Sequence, residues 1–211
     1  IFINPSQFNK KSDYKKYPRN LSKDIMILKR LKVDYLLIPK INDVYKNKKN
    51  EKIKINNKDK ILCAKFRPGH FEGVLAVIKQ FLTKIHAKYI FLGEKDYQQI
   101  YLIKKFIKKK FKTKIVVCKT IRLKNYLACS SRNFLLSNKD LSKAAKITKH
   151  LYKFFYLIKK NFNNKNKIDL IHRYFKIEKI KYDYLQIRNK NNLSTRFNKN
   201  NFKIFIAYYI K

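Results

Sequence analysis

The sequence predicts an α/β protein in which a parallel sheet is followed by a smaller α+β domain. Up to about residue 120, short apolar strand patterns alternate with helical patterns. Such alternation is typical of a parallel sheet with helices on both of its faces. Beyond residue 120, two helical patterns are followed by two strand patterns. We therefore predict two domains, 1–120 and 121–211, although no Pro- or Gly-rich linker marks the boundary.

The elements of the first domain follow from the period of its apolar residues. A period near 3.6 predicts helices at 21–32, 73–86 and 96–111. Short apolar runs predict strands at 1–3, 34–38, 53–55, 88–92 and 114–118. The polar, lysine-rich stretch 46–60 is otherwise expected to be an exposed loop.

In the second domain, apolar periodicity predicts helices at 141–162 and 168–175, the first with a strongly basic face. Strands are predicted at 182–187 and 202–210, and we expect them to pair with each other.

Charge is the most extreme property of the composition. The chain has 53 Lys and Arg against 13 Asp and Glu, a formal net charge of +40. A nucleic-acid-binding protein would explain this charge. A biased composition that places lysines on solvated faces would explain it too. We favour the second explanation because lysines occur in every segment, and we expect only non-specific binding to polyanions.

Other features of the composition exclude some protein classes. A hydrophobic fraction of 45% can fill a core, which argues against a disordered chain. No apolar stretch of 18 residues is present, so we expect no membrane span. The three cysteines, Cys63, Cys118 and Cys129, show no Cys-x-x-Cys spacing. They fit a protein of the reducing cytoplasm better than a disulfide framework or a zinc site.

A phosphate-handling turn is indicated where the predicted strand 88–92 runs into Gly93 and then a helix. The first turn of a helix offers free N–H groups and partial positive charge to an anion. Lys95 adds a full positive charge there, and Asp96 can accept hydrogen bonds from ribose hydroxyls or bind a metal. Gln99 lies one helical turn after Lys95, so both side chains can face one pocket.

Glycine use points to the same segments. The chain contains only Gly69, Gly73 and Gly93. A sequence so poor in glycine is expected to use it where the backbone needs a positive φ or a close approach.

Five motifs in a fixed order resemble one enzyme family. They are Asn4-Pro5-x-Gln7-Phe8, Tyr17-Pro18-Arg19, Arg67-Pro68-Gly69-His70-Phe71, Gly93-Glu94-Lys95-Asp96-Tyr97-Gln98-Gln99 and Ser130-Ser131-Arg132-Asn133. In type, order and spacing they resemble those of the pantoate–β-alanine ligases, the pantothenate synthetase family. The resemblance runs over nearly the whole chain. It implies a Rossmann-like, nucleotidyltransferase-type domain with a smaller C-terminal lid domain.

The resemblance also implies a reaction. ATP and pantoate would form pantoyl adenylate and pyrophosphate, and β-alanine would then attack the acyl carbon to give pantothenate and AMP. Mg²⁺ is implied as a cofactor, and a cytoplasmic homodimer is the implied state. No specific nucleic acid and no membrane is expected as a partner.

Residue roles are carried over from the matching positions. The implied ATP-binding residues are Gly93, Glu94, Lys95, Asp96, Ile121, Cys129, Ser130, Ser131 and Arg132. Among them Lys95, Ser130, Ser131 and Arg132 are the implied catalytic groups, because they would neutralise phosphate charge.

Two glutamines, Gln7 and Gln99, match the pair that holds pantoate, and amides suit its hydroxyls and carboxylate. Arg67 and His70 are candidates for lining the site. Tyr17 fits either a core position or a pocket wall. Asp24 falls where a Mg²⁺-associated aspartate is expected.

The chain also departs from the family pattern. Family members open with a strand, a Pro-Thr-Met-Gly turn and a His-x-Gly-His helix start, none of which is in this sequence. We therefore expect an N-terminally incomplete copy that is inactive as an isolated polypeptide. Asn125-Tyr126 replaces the usual Asp-Gly. Two other interpretations stay open: a different adenylyltransferase of the superfamily, and a decayed or non-catalytic basic fragment of this enzyme.

Overall fold

A computed structural model describes residues 1–45, 53–160, 162 and 167–210. The chain divides into two compact units, Ile1–Lys119 and Thr120–Lys211, and each is described by itself. Within the described residues, no helix has both the length and the apolar character that a membrane crossing requires.

The first unit alternates helices with two strands. In chain order its elements are α1 (Lys11–Lys16), α2 (Leu21–Arg30), α3 (Ile41–Tyr45), α4 (Cys63–Phe66), α5 (His70–Lys84), β1 (Tyr89–Gly93), α6 (Tyr97–Lys110) and β2 (Lys114–Cys118). Short 3₁₀ turns lie at Pro5–Gln7, Asn57–Asp59 and Glu94–Asp96. The predicted helices at 21–32, 73–86 and 96–111 are confirmed as α2, α5 and α6, with no end shifted by more than three residues.

The predicted parallel pairing is confirmed for β1 and β2, which run from Tyr89 opposite Lys114 to Gly93 opposite Cys118. Successive side chains of a strand point to opposite faces of the sheet. Ile90 and Leu92 pack on the core, whereas Phe91 is 67% exposed. Within the described part of this unit, α5 and α6 pack against the face of the sheet that carries Ile90 and Leu92.

The core of the first unit lies between α5, α6 and the inner face of the sheet. Its buried residues are Ala64, Phe71, Val74, Leu75, Leu82, Leu102, Ile103 and Ile107. Most of them follow the helical period, because one stripe of each helix faces the strands. The first turn of α6, which carries Gln99 and directly follows the turn of Lys95, is thereby fixed at the end of β1.

Three predicted strands, 1–3, 34–38 and 53–55, are not strands in the structure. A strand needs a neighbour that accepts and donates its backbone hydrogen bonds, and apolar runs do not show whether one is present. The N-terminal ammonium of Ile1 donates to the carbonyl of Leu37, but no described residues form a ladder there. Residues 31–38 are exposed instead, with Tyr35 at 93%.

The predicted exposed loop at 46–60 is only partly testable, since residues 46–52 lie outside the described part. Within the remainder, Asp59 is buried and its carboxylate accepts a hydrogen bond from Lys105 Nζ at 2.6 Å. The prediction of exposure is therefore wrong at Asp59, because an ion pair satisfies its charge beside α6.

The second unit combines two helices with an antiparallel strand pair. Its elements are α7 (Asn138–Lys160), α8 (Lys167–Ile177), β3 (Tyr182–Asn189) and β4 (Phe202–Tyr208). The pairing of the two strands is confirmed, with Leu185 opposite Ile206. Their core residues are Ile147, Ile158, Ile171, Phe175, Ile180, Leu185 and Phe202.

Helix α7 begins three residues before its predicted start. The hydroxyl oxygen of Ser137 accepts a hydrogen bond from the Asp140 amide at 3.2 Å and donates to the Asp140 carboxylate at 2.7 Å. This side-chain capping satisfies an amide of the first turn. Apolar periodicity, which carries no information on caps, therefore placed the start too late.

Candidate functional site

The turn after β1 has the strand–turn–helix form that the sequence predicts. β1 ends at Gly93, a 3₁₀ turn covers Glu94–Asp96, and α6 starts at Tyr97. Lys95 therefore lies just before the α-helix rather than within its first turn. Amides at the start of α6 add partial positive charge beside the Lys95 ammonium.

Lys95 and Asp96 form an ion pair, with Lys95 Nζ 3.0 Å from Asp96 Oδ1. Both side chains are exposed, at 42% and 57%. Water screens such a pair, so it contributes little to stability. The pair keeps a cation and an acceptor side by side, the chemistry that a triphosphate and a ribose require.

The three glycines differ in what their positions demand. Gly69 has a φ of +78°, and a Cβ on Gly73 would lie 2.6 Å from Ser6 Oγ. Both positions confirm the expectation of a special backbone need. Gly93 has a φ of −72° with no atom within 4 Å of an added Cβ. At Gly93, therefore, neither φ nor a neighbouring protein atom requires glycine.

The turn that carries Gln7 is held by the buried side chain of Asn4. Asn4 Nδ2 donates to the carbonyl of Gly73 at 3.0 Å, and Asn4 Oδ1 accepts from Tyr45 Oη at 2.8 Å. The Ser6 amide also donates to Asn4 Oδ1, at 3.2 Å. These bonds fix the turn against α5 and leave the Gln7 side chain half-buried.

Arg67 and His70 bring a second motif to the same turn. Arg67 Nη2 donates to the carbonyl oxygen of Gln7 at 3.1 Å, and His70 Nδ1 lies 2.7 Å from that oxygen. A carbonyl oxygen only accepts, so His70 carries its hydrogen on Nδ1 in this contact. Both side chains thus hold the backbone carbonyl of Gln7.

Tyr17 belongs to an aromatic cluster beside this turn. Its ring centroid is 5.4 Å from that of Phe8, and the Tyr14 ring lies 5.3 Å from Phe8. Arg19 donates to the carbonyl oxygens of Tyr14 at 2.7 Å and Tyr17 at 3.3 Å. Tyr17 therefore packs directly on the residue that follows Gln7.

The structure places Asp24 on the exposed surface of the first turn of α2. Within the described residues, no three His, Cys, Asp or Glu side chains are grouped closely enough to hold a metal ion. One carboxylate fits Mg²⁺ only if substrate phosphates and water supply the other ligands, which is a common arrangement for this ion.

In the second unit a short hairpin precedes the Ser130-Ser131-Arg132 segment. Arg122 pairs with Ala128, and the Cys129 amide donates to the carbonyl of Ile121 at 2.9 Å. The Ile121 side chain is 71% exposed and the Cys129 thiol is also exposed. The backbone carbonyl oxygen of Ile121 is thus already hydrogen-bonded within the hairpin.

Ser130 caps the 3₁₀ helix Ser131–Leu135, and its Oγ accepts from the Arg132 amide at 3.3 Å. Asn133 Nδ2 donates to the carbonyl of Ala128 at 3.0 Å and ties this turn to the hairpin. The guanidinium-bearing side chain of Arg132 is exposed. Hydroxyls and a guanidinium are groups that can donate hydrogen bonds to phosphate oxygens.

Gln98 was not among the predicted site residues, yet it is 5% exposed and fully engaged by backbone groups. Its side chain belongs to the same buried stripe of α6 as Leu102, four residues later. This spacing is a signal that could have identified a buried polar residue.

A sequence model of the pantoate-beta-alanine ligase family matches residues 1–211. A pantothenate synthetase of Francisella tularensis subsp. mediasiatica is 39% identical over 215 residues, covering 100% of this chain and 73% of that protein. A pantothenate synthetase of Buchnera aphidicola subsp. Acyrthosiphon pisum is 44% identical over 156 residues, or 72% of this chain. The alignment covers 53% of that relative, so the chain spans about half the length of the Buchnera protein.

Two solved structures resemble the fold. The crystal structure of pantoate-beta-alanine ligase from Francisella tularensis, complexed with beta-gamma ATP and beta-alanine, has a TM-score of 0.81 at 36% identity. It covers all of this chain, which spans 73% of that structure. The crystal structure of pantothenate synthetase from Thermus thermophilus has a TM-score of 0.86 at 25% identity, with coverages of 100% and 81%.

Proposed function

The chain belongs to the pantoate-beta-alanine ligase family, and we propose that the full-length protein forms pantothenate from pantoate, β-alanine and ATP. A carboxylate oxygen of pantoate attacks the α-phosphorus of ATP, and pyrophosphate leaves. The β-alanine amine then attacks the acyl carbon of the adenylate, loses a proton and expels AMP. The observation that carries the proposal is the Gly93–Gln99 strand–turn–helix in a chain that matches the family throughout.

Charge stabilisation is the proposed role of Lys95. Negative charge builds up on the phosphate oxygens when pyrophosphate leaves, and a fixed cation lowers the energy of that state. Arg132, Ser130 and Ser131 would supply further donors, while Glu94, Gly93, Ile121 and Cys129 would line the ATP site. Asp96, which accepts from Lys95 at 3.0 Å, would exchange that partner for ribose hydroxyls.

Positioning is the proposed role of Gln7 and Gln99. Their amides both donate and accept, as the hydroxyl and carboxylate groups of pantoate require. The contacts of Arg67 and His70 with the Gln7 carbonyl support this role, because they fix the backbone that carries Gln7. Holding the carboxylate close to the α-phosphorus lowers the entropic cost of the first step.

The proposal extends to the cofactor and the setting of the reaction. Asp24 would be the protein residue that holds Mg²⁺, and the ion would supply positive charge to the phosphates of ATP. The three cysteines all lie in the described part of the chain and form no disulfide there, which is compatible with a reducing cytoplasm as the compartment. A homodimer is proposed from the family resemblance. The domains 1–120 and 121–211 are proposed to act as the substrate-binding domain and its lid.

A crossed pair of variants tests the proposal. Lys95→Ala is expected to slow pantoate-dependent pyrophosphate release by roughly 100-fold or more, because it removes a phosphate-stabilising cation. Gln99→Ala is expected to raise the KM for pantoate far more than that for ATP. Pyrophosphate release, measured as pantoate and ATP are varied separately, distinguishes the two effects.

The matched control is Lys104→Ala, at an exposed lysine farther along α6. This variant should keep the rate of pyrophosphate release and the KM for pantoate within about twofold of the wild-type values. Near-normal pyrophosphate release by Lys95→Ala would refute its role. Wild-type protein that forms AMP without pantoate would favour a different adenylyltransferase. Wild-type protein that forms no AMP but binds nucleic acid would favour a non-catalytic basic protein.

A further inference from the structure

Gln98 is a buried amide in the first turn of α6, next to Gln99. Its Nε2 donates to the carbonyl oxygens of Ile61 at 2.7 Å and Asp59 at 3.1 Å. Its Oε1 accepts a long hydrogen bond of 3.4 Å from the Ala64 amide. One side chain thus satisfies three backbone groups within the segment 59–64.

The segment 59–64 needs such external support because its backbone is strained. Leu62 has φ +50° and ψ −130°, a conformation that non-glycine residues rarely adopt. Its side chain is 2% exposed, so the strained residue is also anchored in the core. Lys105 adds a second hold from α6, since its Nζ lies 2.6 Å from Asp59 Oδ2.

The same segment leads directly to the residues that orient Gln7. Ala64 lies in α4, and the amide of Arg67, the residue that caps the end of this helix, donates to the Cys63 carbonyl at 2.9 Å. Arg67 Nη2 and His70 Nδ1 then contact the Gln7 carbonyl oxygen. A continuous path of hydrogen bonds and a short helix therefore joins Gln98 to the turn of Gln7.

We infer that Gln98 is a positioning residue that sets the separation of Gln7 and Gln99. It is adjacent to Gln99 in α6, and through segment 59–64 and α4 it controls where Arg67 and His70 hold Gln7. The inference rests on the proposed function, and it assigns to Gln98 control of the affinity for the hydroxy-acid substrate, pantoate. The affinity for ATP should depend on Gln98 much less.

Gln98→Met tests this role, because methionine has nearly the same shape but makes none of the three hydrogen bonds. Its dissociation constant for pantoate should rise by roughly tenfold or more, since displacements of about 1 Å are costly at a binding site. The dissociation constant for ATP should change by less than about twofold. Ile107→Val, a trimmed core residue on the same helix, is the matched control and should change neither.

A second measurement needs no variant. Amide hydrogen exchange of Ala64 in the wild-type protein should slow when pantoate is added and should respond less to ATP alone. A purely structural role would not produce this outcome, because the exchange of the Ala64 amide would then not respond to pantoate more than to ATP.

Three results would overturn the inference. They are an unchanged affinity for pantoate in folded Gln98→Met, equal losses of affinity for pantoate and ATP in that variant, and an exchange rate of the Ala64 amide that pantoate does not change. Wild-type protein that binds no pantoate would overturn the proposed function together with it. Normal wild-type binding with an equal loss for both substrates in Gln98→Met would overturn the positioning role alone.

Discussion

At the scale of single residues, backbone conformation decides which positions tolerate a side chain. Gly73 lies against the Pro5–Gln7 turn, where Ser6 Oγ and the Ser6 carbonyl oxygen would be 2.6 and 2.7 Å from an added Cβ. Tyr126 has a φ of +71°, the left-handed region that glycine tolerates best. Glycine is therefore expected to be more favourable than alanine at both position 73 and position 126, for lack of space at the first and because of φ at the second.

Gly73→Ala is expected to destabilise the protein by about 1–3 kcal/mol, the typical cost of overpacking. The clash involves a backbone oxygen, so the Pro5–Gln7 turn must move away from α5. Urea unfolding measures the loss, with Gly93→Ala as the control because a Cβ at Gly93 meets no atom within 4 Å. Equal stabilities of the two variants would contradict the close packing at Gly73.

Tyr126→Gly should be more stable than Tyr126→Ala by about 1 kcal/mol, because only glycine adopts this φ without strain. Both variants lose the contact with the Tyr152 ring, 5.4 Å away, so their difference isolates the backbone cost. Thermal unfolding of the pair provides the measurement.

The control for this comparison is Ser142, an exposed residue within α7. There the order should reverse, with Ser142→Ala more stable than Ser142→Gly by about 1 kcal/mol. If alanine were preferred at position 126 as well, Tyr126 would not be strained in solution.

At the scale of elements, burial and hydrogen bonds shift the pKa of side chains that link one element to another. Burial lowers the pKa of Lys105, but hydrogen bonds to Asp59 and Tyr101 outweigh it and raise that pKa. In the second unit, burial is the main cause that raises the pKa of Tyr208 above its ordinary value of 10.0. Hydrogen bonding to Thr148 and the charge of Arg122 oppose the shift.

The stability of the second unit is expected to fall as the pH rises above about 10. The folded state holds the Tyr208 proton more tightly than the unfolded chain, so stability present below pH 10 is lost as the pH rises through the folded pKa. The free energy of unfolding from denaturant titrations between pH 8 and 11 would show the decline.

Tyr208→Phe separates this residue from the other tyrosines. The variant should show a shallower decline than the wild type over the same range of pH. Tyr209 also has a raised pKa, mainly because of its hydrogen bond to Asp183, so Tyr209→Phe serves as the comparison. An unchanged slope in Tyr208→Phe would mean that its proton is not held more tightly in the folded state.

The element scale also shows where prediction from the sequence succeeded. The long helices α5, α6 and α7 were predicted because one stripe of each is apolar. Strands 88–92 and 114–118 were predicted as well, whereas 34–38 has similar apolar character and forms no strand. Whether a run pairs depends on a neighbour that is distant in sequence, and local pattern does not contain that information.

At the scale of the whole molecule, the charge of +40 dominates long-range interactions. Helix α7 carries only Asp140 as an acidic residue and seven lysines, Lys139, Lys143, Lys146, Lys149, Lys153, Lys159 and Lys160. Their field attracts any polyanion and raises its local concentration. Because lysines occur along the whole chain, we expect the attraction to be non-specific.

Binding to single-stranded RNA and to heparin should therefore weaken steeply with salt, with little dependence on base sequence. Phosphate neutralisation releases counterions, so the logarithm of affinity falls linearly with the logarithm of salt concentration. Fluorescence anisotropy with two RNAs of unrelated sequence at about 50–300 mM salt gives both dependences. Tight, salt-insensitive binding to one sequence alone would refute this interpretation of the charge.

The α/β class, the change of pattern near residue 120, the family and the candidate side chains could all be predicted from the sequence. These follow from residue identity, spacing and period, which are local properties. Tertiary structure alone decided that Asn4, Arg67 and His70 fix the turn of Gln7, and that Gln98 joins α6 to segment 59–64. Each of these contacts spans more than 30 residues, and a buried polar group takes whichever partner the fold brings within hydrogen-bonding distance.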